Sequence, residues 1–310
     1  MERLESFGHH LPTPWHHRVH GHDRGLLLRR VCIAGLYLGP PRGRRLGFGL
    51  PTPEHLIPSL NDLRLVEPEC LILHEAHDEK RLARLRHRIE AEGEQRNPVI
   101  VSPFEDRYLV LDGAHRVRVL AELGYHLVLV QVVEPPERAE GWGHLLEGFE
   151  PKELHGIEEI EASEEPRGRI SLAEVETAGG GQTLSLSSSG EGLEVWLRAL
   201  WRLQALYPKG VVVRRVEPDG IVRLADGEAL IRYRSFTPGE LAAIVDSGAV
   251  LPAGITRFRV RERILGVRYP LERMKDGDAA ARNAELREFV RERWSEDRVR
   301  YYGEPVVLFE

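Results

Sequence analysis

The strand-turn-helix junction at Asp112-Gly113 constrains the fold of this chain more than any other feature of its sequence. The residues from Tyr108 to Leu111 are apolar over the length of a strand, and Asp112-Gly113 breaks that run. A helical pattern follows from Ala114, and a second apolar run of strand length comes after the helix. Strand, turn, helix and strand in this order predict an α/β unit.

The start of the helix after Gly113 is a candidate anion site. A glycine allows the chain to turn sharply, and the first turn of a helix presents unpaired N–H groups at the positive end of the helix dipole. His115 and Arg116 lie in that turn, where basic side chains oppose the dipole unless an anion such as phosphate binds between them. The alternative is structural: Arg116 pairs with a nearby carboxylate and His115 is a partly buried histidine.

Length, charge and cysteine content limit the class of protein. A chain of 310 residues with 42% apolar residues is long enough for two domains with buried cores. The formal net charge of −6 argues against bulk electrostatic binding to nucleic acid and leaves room for one basic pocket. No apolar run has membrane-spanning length, no signal peptide is recognisable, and two cysteines make no disulfide framework. We expect a soluble, cytoplasmic protein without membrane association.

Composition divides the chain into four segments. Residues 1–62 form an extension rich in His, Arg, Gly and Pro, and residues 63–150 hold the α/β unit in the order strand, helix, hairpin, helix, strand. Residues 151–192 are charged and then rich in Gly and Ser, which predicts a flexible connection or an insertion. Residues 193–310 predict a second mixed α/β domain, so the predicted fold class is α/β (α+β).

Periodicity and turn signals predict the elements outside the α/β unit. An acidic, helix-like stretch after residue 136 contains Trp142. The later predicted elements are a helix at 193–206, strands at 211–216 and 229–233, a helix at 238–247 capped by Thr237, a strand at 260–270 and a helix at 280–294.

Two further places carry candidate chemistry. Glu75 follows an apolar strand pattern and precedes the predicted helix cap Asp78, where active-site groups of α/β folds cluster. A phosphate site needs a base to deprotonate an attacking hydroxyl, and Glu75 is the nearest acidic candidate, although most glutamates at such places are surface residues. Thr256 and Arg257 follow a glycine in a turn-bearing segment, and Arg257 could hold a carboxylate or lie in a surface turn.

These motifs together resemble the free serine kinases of the ParB/sulfiredoxin superfamily. The resemblance rests on His-Glu after the first strand, Asp-Gly-x-His-Arg at the strand-to-helix junction and Leu-Pro-Ala-Gly-Ile-Thr-Arg in the second half, and it covers most of residues 63–275. It implies a ParB/sulfiredoxin-like nucleotide-binding domain over 63–150 and a C-terminal substrate-binding domain over 193–310. It also implies transfer of a phosphoryl group from ADP or ATP to the hydroxyl of L-serine.

The resemblance assigns a role to each matching residue. Glu75 is implied as the catalytic base, and Asp112 acts at the transferring phosphate or its Mg²⁺. Three further residues would contact the amino-acid substrate, and four would bind the nucleotide phosphates. They are Trp142, Thr256 and Arg257 for the substrate, and Gly113, Ala114, His115 and Arg116 for the phosphates.

The sequence departs from this pattern at Phe258, where the family commonly has His, so the amino-acid pocket is altered. Sulfiredoxins carry a catalytic Cys where this chain has Ala114, which argues against sulfinic-acid reduction. The alternative hypothesis is a ParB-like, nucleotide-dependent DNA-binding or regulatory protein, or a nuclease. The residues after 135 offer no basic recognition helix, and no Walker-type loop is present.

Overall fold

The structure is a computed structural model that describes residues 57–165, 170–178 and 183–303. Nearly all of the predicted N-terminal extension and the glycine run at 179–181 lie outside these residues. Within them, no helix is both long enough and apolar enough to cross a membrane. The described chain forms two larger sheets with helices packed against them, which confirms the predicted α/β class.

The helices and strands are numbered here in chain order. The helices are α1 Glu79–Glu92, α2 Ala114–Glu122, α3 Leu193–Ala205, α4 Pro238–Asp246 and α5 Ala279–Ser295. The strands are β1 Leu63–Val66, β2 Leu71–Ile72, β3 Glu94–Gln95, β4 Val99–Phe104, β5 Arg107–Asp112, β6 Val128–Val132, β7 Glu140–Gly141, β8 Gly143–Glu147, β9 Ile160–Ser163, β10 Ser171–Thr177, β11 Thr183–Ser188, β12 Arg214–Val216, β13 Glu228–Tyr233, β14 Thr256–Arg257 and β15 Tyr269–Pro270.

The first sheet has the strand order β1-β6-β4-β5-β2. Strands β2 and β5 are parallel, as are β4 and β6, while β4 and β5 form an antiparallel hairpin. Helices α1 and α2 pack against each other beside this sheet. The predicted order of strand, helix, hairpin, helix and strand is therefore confirmed. Helix α1 also begins and ends at the residues that the sequence predicts. The Asp78 side chain accepts a hydrogen bond from Arg81 N at 2.7 Å, and Gly93 ends the helix at a φ of 66°.

The second sheet has the strand order β12-β8-β13-β10-β11-β9, and every neighbouring pair is antiparallel. Helices α3 and α4 contribute Trp196, Leu200 and Ile244 to the core that this sheet covers. Thr237 and Glu240 form a capping box at the start of α4, as the Thr237 cap predicts.

The structure corrects three predictions of secondary structure. Residues 151–192 are not a flexible connection over their described part, because β9, β10 and β11 pair side by side in the second sheet. The acidic stretch around Trp142 is not helical, since it forms β7 and β8, and β8 is buried between β12 and β13. Of the predicted strand at 260–270, only β15 forms, and the Gln131 side chain instead binds the backbone of Glu262 and Ile264.

The predicted domain boundaries do not follow the sheets. Strand β8 already belongs to the second sheet, although it precedes residue 150. Helix α5 returns to the first sheet, where Leu286 and Phe289 share a core with Leu65 of β1. The C-terminal segment predicted over 193–310 is therefore divided between the two sheets.

The two sheets meet at a bridge between residues 74–76 and residue 251. Leu251 N donates to His74 O at 2.8 Å, and Ala76 N donates to Leu251 O at 2.8 Å. The first sheet also contributes Ile100 and Leu109 to the core of the second. Because the bridge lies directly after β2, it places Glu75 between the two halves of the molecule.

Candidate functional site

Glu75 is fixed by the backbone of the segment 251–257, which we call the interface loop. Its Oε2 accepts from Gly254 N at 2.9 Å, and its Oε1 accepts from Thr256 N at 2.6 Å and from Thr256 Oγ1 at 2.5 Å. An ionised carboxylate has about four acceptor positions, and three are used here. The side chain is partly accessible, so one position is left for a hydroxyl from outside.

His74 contacts the Thr256 hydroxyl that binds Glu75. It is buried, its Nε2 lies 2.9 Å from Thr256 Oγ1, and its ring meets Phe258 edge-on at 5.3 Å. Burial lowers the pKa of His74, which keeps the ring neutral. Because the one hydroxyl hydrogen of Thr256 points to Glu75, the Nε2 of His74 must carry its own hydrogen and donate it. Phe258 thus packs on His74 and offers no polar group.

The Asp112-Gly113 junction has the predicted geometry. Helix α2 begins at Ala114, and Gly113 precedes it with a φ of 104°, which favours glycine. A Cβ at Gly113 would lie 2.6 Å from the Nη2 of Arg116, so the guanidinium folds directly over the glycine. The backbone N–H groups of the first turn of α2 and the Arg116 side chain therefore lie together, as a phosphate site requires.

Asp112 lies between two arginines. Its Oδ2 is 3.0 Å from Arg263 Nη1 and 3.5 Å from Arg116 Nη2, so the structural alternative of Arg116 facing a carboxylate is also realised. Burial alone would raise the pKa of Asp112, but the two guanidinium groups outweigh it and hold the pKa below its usual value. The carboxylate is ionised and its side chain is 53% exposed, which leaves it open to a ligand.

A magnesium ion fits this site only with help from a nucleotide. Among the described residues, no group of three His, Cys, Asp or Glu side chains could hold a metal ion. Mg²⁺ is often bound by one or two carboxylates together with substrate phosphates and water. The ionised, accessible Asp112 fits that kind of site.

His115 is neutral, and this corrects the expectation of a second cation in the first turn of α2. Its Nε2 accepts a hydrogen bond from Asp78 N at 3.0 Å, so this nitrogen carries no hydrogen. Desolvation lowers the pKa of His115 to about 4, assisted by Arg81 and His77. The ring links the start of α1 to the start of α2, and its Nδ1–H is the donor that remains for a ligand.

Arg257 and Trp142 lie together, but carboxylates of the protein occupy Arg257. Its Nη1 is 2.8 Å from Glu140 and its Nη2 is 2.6 Å from Glu217, while its guanidinium lies 5.3 Å from the centre of the Trp142 ring. Thr256 reaches Glu75, whereas Arg257 points toward these acidic residues. Of the three predicted substrate contacts, the structure brings Thr256 to the candidate base.

Two arginines near the site were missed by the sequence analysis. Arg263 binds Asp112 from the irregular segment before β15. Arg215 of β12 lies over Trp142 at 5.6 Å, on the opposite side of the strand from its neighbour Arg214, which binds Glu228. The period of two along β12 is the only sequence signal that separates the two adjacent arginines.

Comparisons with known proteins agree with the resemblance. Residues 63–147 match the ParB N-terminal domain. The ATP-dependent L-serine kinase SbnI of Staphylococcus aureus is 27% identical over 252 residues, which span 80% of this chain and 97% of that protein. An ATP-dependent L-serine kinase of Staphylothermus marinus is 38% identical over 72 residues, which are 23% of this chain and 29% of that protein.

Solved structures show the same fold. A C-terminally truncated SbnI from Staphylococcus aureus superposes with a TM-score of 0.65 at 24% identity, over 76% of this chain and 98% of that one. A free serine kinase in complex with AMP gives a TM-score of 0.51 at 20% identity, over 69% and 93% of the two chains. The likeness thus extends beyond the ParB domain and includes the second sheet.

Proposed function

We propose that this protein, a member of the serine kinase branch of the ParB/sulfiredoxin superfamily, transfers the terminal phosphoryl group of ATP to free L-serine. The products are O-phospho-L-serine and ADP. The observation that supports this most strongly is the position of Glu75, a carboxylate held by three hydrogen bonds where the two sheets meet. The two relatives that are named ATP-dependent L-serine kinases support the choice of donor and acceptor.

The start of α2 would bind the phosphates of the nucleotide. The N–H groups that follow Gly113, including that of Ala114, point out of the helix end, and Arg116 lies over the glycine. His115 would add a neutral Nδ1–H donor for a phosphate oxygen. Because its pKa is lowered to about 4, the imidazole stays neutral near neutral pH. Mg²⁺ held by Asp112 and the phosphates would neutralise charge on the phosphoryl oxygens.

Glu75 would accept the proton of the serine hydroxyl. As the hydroxyl oxygen bonds to the terminal phosphorus, the bond from that phosphorus to the bridging oxygen of ATP breaks, and ADP leaves. Phosphoryl transfer depends mainly on positioning and on charge neutralisation, so a base that is fixed before the substrate arrives is an advantage. The hydrogen bonds from Gly254 and Thr256 fix it in this way.

The carboxylate and amino groups of serine would bind near the interface loop. A guanidinium has five donors, so Arg257 keeps some for a substrate carboxylate beside its contacts with Glu140 and Glu217. Trp142 forms the adjacent wall. Phe258 packs against His74 and adds no polar contact, so Arg257 and Thr256 are the polar side chains of this segment that remain for the substrate.

Phosphorus NMR tests this proposal. Purified protein is incubated with Mg²⁺ and L-serine, with ATP in one tube and ADP in another, and L-threonine replaces serine in a parallel pair. We expect a phosphoserine signal that grows together with ADP in the ATP tube. If no tube gives a signal of a phosphorylated amino acid and the protein shows salt-dependent retention of DNA, the alternative of a nucleotide-dependent DNA-binding protein is supported.

A further inference from the structure

Arg215 occupies a position in the candidate site that no motif predicts. A Cβ built on Gly254 would lie 2.4 Å from Arg215 Nη2, so the guanidinium packs directly on that glycine. The N–H of the same glycine donates to Glu75 at 2.9 Å. The guanidinium also lies over the ring of Trp142, 5.6 Å from its centre. Gly254 therefore contacts both Arg215 and the candidate base. The Arg215 side chain stays accessible to solvent.

Within the described part of the chain, Arg215 differs from the other arginines of the site in its carboxylate contacts. Arg257 binds Glu140 and Glu217, and Arg263 binds Asp112. In contrast, no carboxylate oxygen of the residues that the structure describes lies within 4.0 Å of Arg215. A guanidinium that is held in place without a carboxylate, beside a site for nucleotide phosphates, has the chemistry of an anion receptor.

Arg81 is a second arginine close to the start of α2. It lies in the first turn of α1, and the described residues place no carboxylate oxygen within 4.0 Å of its guanidinium either. Desolvation and the charge of Arg81 both lower the pKa of Arg215, whereas Glu75 and Asp112 raise it. Arg81 also lowers the pKa of His115. The geometry agrees: the Asp78 side chain accepts from Arg81 N at 2.7 Å, and Asp78 N donates to His115 at 3.0 Å. The start of α1, which carries Arg81, therefore lies beside the phosphate junction.

We propose that Arg215, with Arg81, binds the terminal phosphoryl group of the nucleotide and holds it toward Glu75 during transfer. This proposal rests on the proposed function. The start of α2 would bind the α- and β-phosphates of ATP. The two guanidinium groups would bind the oxygens of the phosphoryl group that is being transferred. Negative charge is spread over those oxygens in the transition state, and planar guanidinium donors neutralise it. Two like charges facing one another also favour binding of an anion between them.

The proposal predicts which nucleotides depend on Arg215. We measure the dissociation constants of AMP and ATP in the presence of Mg²⁺ by calorimetry for the parent protein and Arg215→Met. ATP affinity should fall about 10- to 100-fold, as expected for loss of a charged hydrogen-bonding group, while AMP affinity stays within about twofold. Arg81→Met should show the same selectivity for ATP.

Matched variants separate this role from a general loss of positive charge. Arg214→Met removes the adjacent arginine, which binds Glu228 on the other side of β12, and Arg84→Met removes an exposed arginine of α1. Both should bind ATP like the parent. If Arg215→Met does not fold, Arg215→Lys is used, because it keeps the charge but loses the planar donors, and it should lower turnover with serine by about 10-fold or more.

The role of Arg215 at the terminal phosphate and the formation of phosphoserine can fail independently. Parent-like ATP affinity in Arg215→Met, or an equal loss of AMP and ATP affinity, would overturn a role at the terminal phosphate. Parent-like turnover in Arg215→Lys would do the same if that variant has to be used. If the parent forms no phosphoserine but Arg215→Met still loses affinity for ATP alone, the proposed acceptor is wrong and the role of Arg215 stands.

Discussion

The Thr256 hydroxyl connects His74 to Glu75, and its removal tests how far the base depends on its partners. Thr256→Val keeps the shape of the side chain but removes the donor to Glu75 and leaves the buried Nε2 of His74 without its acceptor. We expect turnover with serine to fall by about 10-fold or more, because hydrogen bonds to charged groups contribute about 1.5–3 kcal/mol.

Thr256→Ser is the matched control, since it restores the hydroxyl without the methyl group. The initial rate of phosphoserine formation is measured for both variants at saturating ATP and serine. Turnover of the Val variant equal to that of the Ser variant would show that the hydroxyl does not position Glu75.

A buried chain of hydrogen bonds fixes the interface loop from the other side. The Nε2 of His144 lies 2.8 Å from Gly254 O, which can only accept, so Nε2 carries the hydrogen and Nδ1 accepts from the Tyr207 hydroxyl at 2.9 Å. Tyr207 in turn lies 2.7 Å from the Tyr233 hydroxyl. Burial lowers the pKa of His144 to about 4. Protonation would remove the acceptor that Tyr207 requires.

The lowered pKa of His144 predicts a loss of stability in acid. A histidine in the unfolded chain has a pKa near 6.5. Between about pH 6.5 and pH 4, His144 therefore binds a proton in the unfolded chain but not in the folded chain. The free energy of unfolding should therefore fall as pH decreases, and His144 alone should contribute about 2 kcal/mol between pH 7.5 and pH 5.

Urea unfolding of the parent and of His144→Gln at pH 7.5 and pH 5 measures this contribution. Gln keeps a donor for Gly254 O but cannot titrate, so the pH-dependent loss should be smaller in the variant by about that amount. His115, with its pKa also near 4, remains in both proteins and contributes equally. An identical loss in the two proteins would show that His144 is not held neutral.

Single residues of the site were predictable where a local rule applies to them. Glu75 and the Gly113–Arg116 turn follow from strand ends, helix starts and a resemblance, and the structure brings them to the places expected. The neutral state of His115 was not predictable, because it depends on Asp78 and Arg81 of another helix. Arg215 was missed because a strand pattern does not tell which face of the strand meets a site.

At the scale of elements, the start of α2 makes a separate prediction for Gly113→Ala. The new methyl group would meet Arg116 at 2.6 Å, and a φ of 104° is strained for any L-residue with a side chain. We expect a loss of about 1–3 kcal/mol in the free energy of unfolding, together with weaker nucleotide binding because Arg116 is displaced.

Gly124→Ala is the control for the backbone strain alone. Gly124 also has a positive φ, 77°, but a Cβ there meets nothing within 4 Å. Chemical denaturation and AMP titration of both variants separate the two effects. Gly124→Ala should lose stability and keep AMP affinity, and AMP affinity unchanged in Gly113→Ala as well would contradict the proposed phosphate site.

Elements with capping and turn signals were predictable, and those that depend on distant pairing were not. Helices α1 and α4 have an N-cap side chain, and their bounds follow the prediction closely. Strand β10 has glutamates at two positions, and its burial comes from pairing with β11 and β13. The local composition of that region is charged and then rich in Gly and Ser, so it was predicted as a flexible connection or an insertion.

On the scale of the whole molecule, α5 closes the first sheet from the far end of the chain. Asn283 accepts from Leu65 N at 2.9 Å and donates to Leu65 O at 2.8 Å, so one side chain satisfies the backbone of the strand at the sheet edge. Asn283→Ala should lower the free energy of unfolding by about 1–3 kcal/mol, because it leaves these partly buried groups unpaired.

Denaturant unfolding of Asn283→Ala and of Arg287→Ala tests this role of α5. Arg287 is an exposed residue of the same helix, so its replacement should leave stability nearly unchanged. Equal stability of the two variants would show that α5 is not needed to hold β1.

The relation between the two halves could not be predicted from the sequence. Glu75 and Gly254 are 179 positions apart, and their contact depends on the packing of both sheets. The resemblance indicated that both segments serve one site, but not that the interface loop supplies the hydrogen bonds that fix the base. Only the three-dimensional arrangement explains why Glu75 is fixed before any ligand binds.

The assignment of Glu75 as the base is tested by comparing the parent with Glu75→Gln in two assays on the same samples. One follows phosphoserine formation from ATP and L-serine, and the other measures the dissociation constant of ATP. We expect the rate to fall by about 10²- to 10⁴-fold, the range for loss of a general base, while ATP affinity stays within about twofold. Phosphoserine formation at the parent rate in Glu75→Gln would contradict the assignment of Glu75 as the base between the two sheets.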